Sequence, residues 1–512
     1  MAKSQARASY ALLDRMRAAV DNGLLSEAAD IFDRDAHSAS ADMGLLRAWI
    51  YFKTRAYSAA IEFLNGPRFR DLTPRQQAER YLLLAVTNSQ SNRFAEADEY
   101  FDRVAALEPH LLPDGDLAYW RGRRFLDERR TKEAAQQLHD VRIAAGDTAR
   151  IHADLLESGV LAQQRRYLDA AVLLMHLLEF MDGLKDQHRE TEVWTLHTLA
   201  VYARELDAPK IRRFVQSRVS RQEWPPDFSV NEFQTLKAAA WCHALDGDYF
   251  NAFRYLKMAG NIAPSTPWRA MTLLDRAYLA RCVGESLWSR SELAEAQALL
   301  EEIPWRETSD EERVALPLAA ELLAPLDGGR ASAYLTTFFG MRDVLNPQLH
   351  FRYDDRLRAL AEYANAVVQM QLGNRKSALA ALRDVWKIYD GIGYDWRAGR
   401  SALRLFELTG EARWRDRARE KLKNYAGSWL YDELRAKTAS DAPFLHPAQK
   451  RVYDLLLEGN STEQIAKITG RSPFTISNQV KAILRAFGVP NRGALLADAM
   501  KRGPVSGTRR RK

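Results

Sequence analysis

Cysteine is nearly missing from this chain: Cys242 and Cys282 are the only two in 512 residues, far apart and in helical surroundings. Two isolated thiols make neither a secreted disulfide framework nor a metal knuckle, so a reducing, cytoplasmic setting is expected. No stretch reaches 18 uninterrupted apolar residues, which excludes a membrane-spanning helix from the expectation. Residues 1–20 alternate charged with apolar side chains, and Asp14 and Asp21 continue an ordinary helix, so neither a secretory leader nor an anchor is read there. A glycine-rich phosphate loop is absent; Gly373, Arg375, Lys376 and Ser377 come nearest and lack both the first glycine and a preceding strand. No histidine pair stands at zinc-ligand spacing with a helical glutamate. The chain therefore reads as a binding protein, not an enzyme, with no cofactor and no metal.

Alternating runs of valine, isoleucine and threonine are also scarce, and the expected fold class is all-α. From residue 1 to 435 alanine, leucine, arginine and glutamate dominate, with glycine or proline only at intervals. Those intervals repeat. A turn, then an alanine, then an aromatic or leucine recurs around Ala28, Ala97, Ala252 and Ala378, with weaker copies around Ala60, Ala134, Ala170, Ala296 and Ala331 and a last one after Gly410. From Ala60 to Ala97 and from Ala97 to Ala134 the step is 37 residues, a helix-hairpin period. The small alanine lets two antiparallel helices approach at the turn, and the aromatic one helical turn later fills the gap against the next pair. The pattern resembles tetratricopeptide repeats, which implies a helical-hairpin superhelix with a concave face that docks a protein or peptide. Prolines around residues 224–226 suggest two halves with a seam near 220–230. The tryptophans and tyrosines read as packing. The cluster Arg121, Arg123, Arg124, Arg129 and Arg130 alternates with Asp127 and Glu128 and reads as a solvated face.

The C-terminal part differs in charge. From Asp441 to Lys512 there are 13 Lys and Arg against 5 Asp and Glu, net +8; with +7 for the whole chain, the first 440 residues carry −1. A basic end on a neutral body suits a polyanion, because lysine and arginine gain affinity by releasing counterions condensed on phosphate. The same stretch spells four short helices. Pro447 opens the first and Gly459 closes it; Ser461 and Gln464 stand at capping-box spacing; Gly470 closes the second; Ser472 and Pro473 start the third; Asn491 caps the fourth. Ile476, Val480, Ile483 and Phe487 fall three or four apart and form one inward stripe. Only Gly470, Arg471 and Ser472 join helices two and three, the short glycine-containing turn of a helix-turn-helix.

Leu445, Pro447, Val452, Leu455, Gly459, Ile465, Ala466, Gly470, Ser472, Thr475, Gly488, Val489 and Arg492 stand in one ungapped register. On these residues the segment 445–496 resembles the DNA-binding domain of LuxR-type bacterial transcription regulators. It departs at His446, Ala448, Gln449, Ser477 and Gln479, where the family usually has threonine, arginine, glutamate, lysine and histidine; a sigma-factor-like helix-turn-helix shares only the middle of the motif. The resemblance implies a DNA-binding transcription regulator, and dimerisation through the fourth helix. The expected division is 1–435 tetratricopeptide-like array, 436–443 linker, 444–503 LuxR-type domain and 504–512 basic tail. In the third helix Ser477, Asn478 and Lys481 are expected to read base edges of double-stranded DNA, and Thr475 and Arg485 to hold phosphate. The other reading is a protein-binding scaffold whose C-terminal domain is weak or vestigial on DNA. A cytoplasmic protein is expected, nucleoid-associated when bound, with no membrane partner.

Overall fold

The computed structural model describes residues 2–21, 24–34, 39–107, 111–113, 115–184, 189–222, 224, 230–308, 310–341, 354–438, 447–487 and 489–502. Among these the regular structure is entirely helical, and no helix is long and apolar enough to cross a membrane. The chain divides into two compact units, Met1–Tyr431 and Asp432–Lys512. Helix Trp429–Thr438 runs through the first three residues of the expected linker, and residues 439–446 lie outside the described ones. Part of the expected seam, 225–229, also lies outside them; across it, helix Arg189–Glu205 packs on Val230–Leu245.

The first unit is a succession of helical hairpins with one recurring turn. One residue takes a left-handed backbone conformation and the next helix starts two residues later: Arg55 before Tyr57, Asn92 before Phe94, Arg129 before Thr131, Arg165 before Tyr167, Gly247 before Tyr249, Gly284 before Ser286, Gly373 before Arg375. The following N–H then reaches five residues back, as in Arg93 to Asn88, Asp248 to His243 and Asn374 to Gln369, at 2.8–2.9 Å. This bond satisfies a carbonyl left open where the first helix ends.

The fourth residue of the second helix is the expected alanine in most hairpins. Ala28, Ala60, Ala97, Ala134, Ala170, Ala252, Ala331 and Ala378 are all fully buried. Four residues on stands Phe32, Leu64, Phe101, Leu138, Leu174, Leu256, Leu335 or Leu382, also buried; leucine fills the gap more often than the expected aromatic. Before Asp395 two hairpins depart, and in the last one, expected after Gly410, the fourth residue of Ala412–Leu422 is the half-buried Arg415. In Ser286–Glu302 the fourth residue is Ser289, whose hydroxyl donates to the Ala277 carbonyl at 2.8 Å, so Ala296 is not the turn alanine. In Pro209–Arg221 it is Arg212, fully buried, its guanidinium 2.9 Å from Asp246 and over the Tyr425 ring at 4.8 Å.

That second departure marks where the chain turns back on itself. Helix Asp395–Thr409 is enclosed by the first helices of five earlier hairpins. Glu205 of Arg189–Glu205 accepts from the Trp396 indole (3.1 Å) and from Arg397 (2.6 and 2.9 Å). Trp241 of Val230–Leu245 stacks on Trp396. Arg400 pairs with Glu321 of Ala315–Leu323 and lies over Tyr278 of Thr266–Cys282 and Tyr363 of Asp354–Gln371. Beyond this helix, Gly427 rests against Gly247, and Trp429 touches Trp241 and Tyr278. The inner face of the later hairpins, expected to be an open concave surface, is thus filled by the chain's own helix.

Two tests bear on this closure. A Cβ on Gly247 (φ +83°) meets the Gly427 backbone, whereas one on Gly373 (φ +78°) meets nothing within 4 Å. Gly373→Ala should lose only the left-handed strain, about 1–2 kcal/mol, and Gly247→Ala visibly more in urea unfolding; equal losses would mean the C-terminal segment does not press there. Burial pushes the Glu205 carboxyl upward, but Arg397 and Arg204 outweigh it and hold it down to about 2, against an ordinary 4.5. A depressed carboxyl contributes stability above its unfolded value and loses it as pH falls to the folded one. Wild type should therefore exceed Glu205→Gln by about 3 kcal/mol at pH 7, with the gap closing between pH 4.5 and 2. A pH-independent gap would contradict an ionised Glu205.

Candidate nucleic-acid interface

The C-terminal unit holds four helices after residue 446, Pro447–Leu457, Thr462–Thr469, Pro473–Phe487 and Arg492–Arg502; Gly459 and Gly470 end the first two as the sequence marks, and Gly488, marked as the end of the third, lies outside the described residues. Gly459 (φ +84°) follows the first, and Asn460 N–H returns to the Leu455 carbonyl. Ser461 and Gln464 form a reciprocal capping box, Ser461 N–H to the Gln464 side chain at 2.7 Å and Gln464 N–H to Ser461 Oγ at 3.2 Å. Gly470 (φ +65°) ends the second helix, with Arg471 N–H on the Ala466 carbonyl. Ser472 Oγ accepts from Thr475 N–H at 3.1 Å, and Asn491 Oδ1 from Ala494 N–H at 2.9 Å. Each N-terminal cap satisfies at least one orphan donor, typically worth about 1 kcal/mol, and the two glycine turns satisfy carbonyls.

The core is small and continuous. Val452, Leu456, Ile465, Ala466, Ile476, Val480, Ile483, Phe487 and Leu495 are buried together, and the Tyr453 ring stacks on Phe487 at 4.8 Å. The inward stripe of the third helix is therefore as expected. Arg492 bonds to Thr462 and ties the fourth helix to the start of the second.

The opposite face of the third helix is presented outward. Asn478 and Lys481 are exposed and Ser477 half-buried. Thr475 is half-buried, and both its N–H and its hydroxyl are engaged by Ser472, the hydroxyl at 2.9 Å; in the free chain it serves the cap that orients the helix. Arg485 lies on the same helix with its side chain outside the described residues, as is the tail Arg509–Lys512. Three exposed neighbours were not singled out by the sequence reading: Lys467, Arg471 and Phe474. A signal for them existed. From Gln464 to Ala497 there is not one carboxylate, while Lys467, Arg471, Lys481, Arg485 and Arg492 are cationic. A stretch with cations and no acids has an uncompensated positive charge.

The first hairpins carry a group of half-buried aromatic residues. Trp49 contacts Phe52 and Trp120 at ring distances of 5.4 and 6.1 Å, Arg123 lies over Trp194 at 4.7 Å, and Lys53 pairs with Glu190. These aromatics are half-buried, unlike Trp241, Trp268, Trp396, Trp414 and Trp429, which pack inside. The arginine cluster is not a solvated face throughout: Arg124 is buried between Asp98 at 2.7 Å and Glu128 at 2.6 Å, over the Phe94 ring. Among the described residues no group of His, Cys, Asp and Glu could hold a metal ion.

No protein-family model matches this chain, and no curated protein matches it. Among solved structures it is similar to the APC/C hetero-tetramer Cut9-Hcn1 (13% identity, 96% of this chain and 89% of that one, TM-score 0.40). It is also similar to a Rap protein complexed with competence and sporulation factor (10%, 67% and 100%, TM-score 0.38) and to yeast Tom70 (12%, 86% and 98%, TM-score 0.29).

Proposed function

We propose that this chain is a transcription regulator that works by binding, not by catalysis: a tetratricopeptide-like array docks a protein or peptide, and a LuxR-type helix-turn-helix binds operator DNA. One observation carries the reading. The third C-terminal helix turns its apolar stripe inward and leaves Asn478 and Lys481 exposed on the opposite side, within a stretch free of carboxylates. A helix so anchored from behind fits a major groove.

The division of labour follows from side-chain chemistry. The Asn478 carboxamide can donate to and accept from one adenine, and the Lys481 ammonium can donate to the guanine acceptors. Ser477 reaches either. Thr475 and Arg485 would hold phosphates, and the basic tail would add charge without reading sequence. Two copies paired through the fourth helix would place their third helices about one duplex turn apart and favour a roughly palindromic site. Such a protein works in the cytoplasm, on the nucleoid when bound. On the array, docking falls to the first hairpins around Trp49, Phe52 and Trp120, because the later inner face is occupied by Asp395–Thr409. That aromatic surface also favours the second reading, a protein-binding scaffold whose C-terminal unit is weak on DNA.

Retention on random duplex DNA separates the two. The full chain should bind with strong salt dependence and a chain ending at Thr438 should not; equal retention favours the scaffold. Lys481→Ala should weaken binding by about 1–3 kcal/mol if it reads a base, or lower the salt slope by about one unit if it holds a phosphate. If affinity and slope both stay unchanged, Lys481 is not in the interface.

A further inference from the structure

Phe474 is 76% exposed at the start of the third C-terminal helix, and among the described residues of that unit only Ile468 is a comparably exposed large apolar side chain. Every other large apolar residue placed there is buried or half-buried, many in the common core. The ring is not on a fraying end. Pro473 precedes it, and Ser472 holds Thr475 directly after it through two hydrogen bonds, so the first turn is fixed. Phe474 stands three, four and seven residues before Ser477, Asn478 and Lys481, spacings that share one helical face. It is thus the leading member of the outward stripe, at the end of the helix that goes deepest into a groove.

The charges around it say what kind of surface it meets. Lys467, Arg471 and Lys481 are exposed, and no carboxylate lies between Gln464 and Ala497. A protein partner for a bare aromatic ring has no need of such a field; a nucleic-acid duplex does. Along the major groove the base edges offer donors and acceptors with one apolar exception, the 5-methyl group of thymine. We propose that Phe474 packs on that methyl group and makes a thymine obligatory at one position of each half-site, an inference that rests on the DNA-binding reading above. Ser477, Asn478 and Lys481 would then read the bases that follow.

The test uses the full chain. Duplexes selected from a random pool are remade with uracil in place of each thymine in turn, which removes the methyl group and leaves the pairing and the O4 acceptor. Wild type should bind one substituted position per half-site about fourfold more weakly, the transfer free energy of one methyl-sized group. Phe474→Ala should bind the thymine and uracil duplexes alike, with an unchanged melting temperature. A selected site without a required thymine, a wild type indifferent to every uracil, or a Phe474→Ala chain that keeps the fourfold difference each overturns the inference while DNA binding stands. Should the variant not fold, the wild-type uracil series decides by itself. If the wild type retains no duplex at all, the DNA-binding reading fails, and this inference with it.

Discussion

The first unit depends on a carboxylate held under its own chain. Glu205 is buried among Arg204, Arg397 and the Trp396 indole, with Arg397 some 190 residues further along the sequence. Removing such charges from water is costly, and their mutual attraction offsets this only where geometry and hydrogen bonds are complete. The net contribution to stability is therefore modest, but a register in which Glu205 missed Arg397 would leave both buried and unpaired. The same logic holds for Arg400 and Glu321 on the opposite side of the central helix, where Arg400 outweighs the burial that would raise the Glu321 carboxyl. Apolar contacts alone, such as Trp241 on Trp396, would tolerate a slip that these two pairs do not.

This closure changes which side chains of the array stay uncovered. An array of helical hairpins ordinarily presents its inner helices to a partner. Here Asp395–Thr409 takes that place for the later hairpins, leaving the half-buried aromatics of the first ones. The C-terminal unit solves a different problem with few residues. The three-and-four spacing divides its third helix into two faces: Ile476, Val480, Ile483 and Phe487 inward, Phe474, Asn478 and Lys481 outward. Five caps and turns hold that division in place, and none needs a contact with the array.

Much of this was legible in the chain. The helices of the C-terminal unit, their capping residues and the inward stripe are local features, set by interactions three to five residues apart. The repeated alanines were equally plain, since their burial follows from a turn only a few residues away. Phe474 carries no donor or acceptor that would mark it in the sequence, although its place on the outer stripe is readable from spacing. Arg212 stands where most hairpins have alanine, and its burial against Tyr425 belongs to the chain's return on itself.

By itself, then, the sequence determined the helical class, the hairpin period and the two faces of the third C-terminal helix, because each rests on periodicity and on hydrogen bonds between near neighbours. Only the tertiary structure decided that Glu205 meets Arg397, that Arg400 meets Glu321, and that the inner face of the later hairpins is filled. Contacts between residues so far apart leave no periodic trace; they depend on the summed curvature of every hairpin between them, to which each turn adds a small rotation.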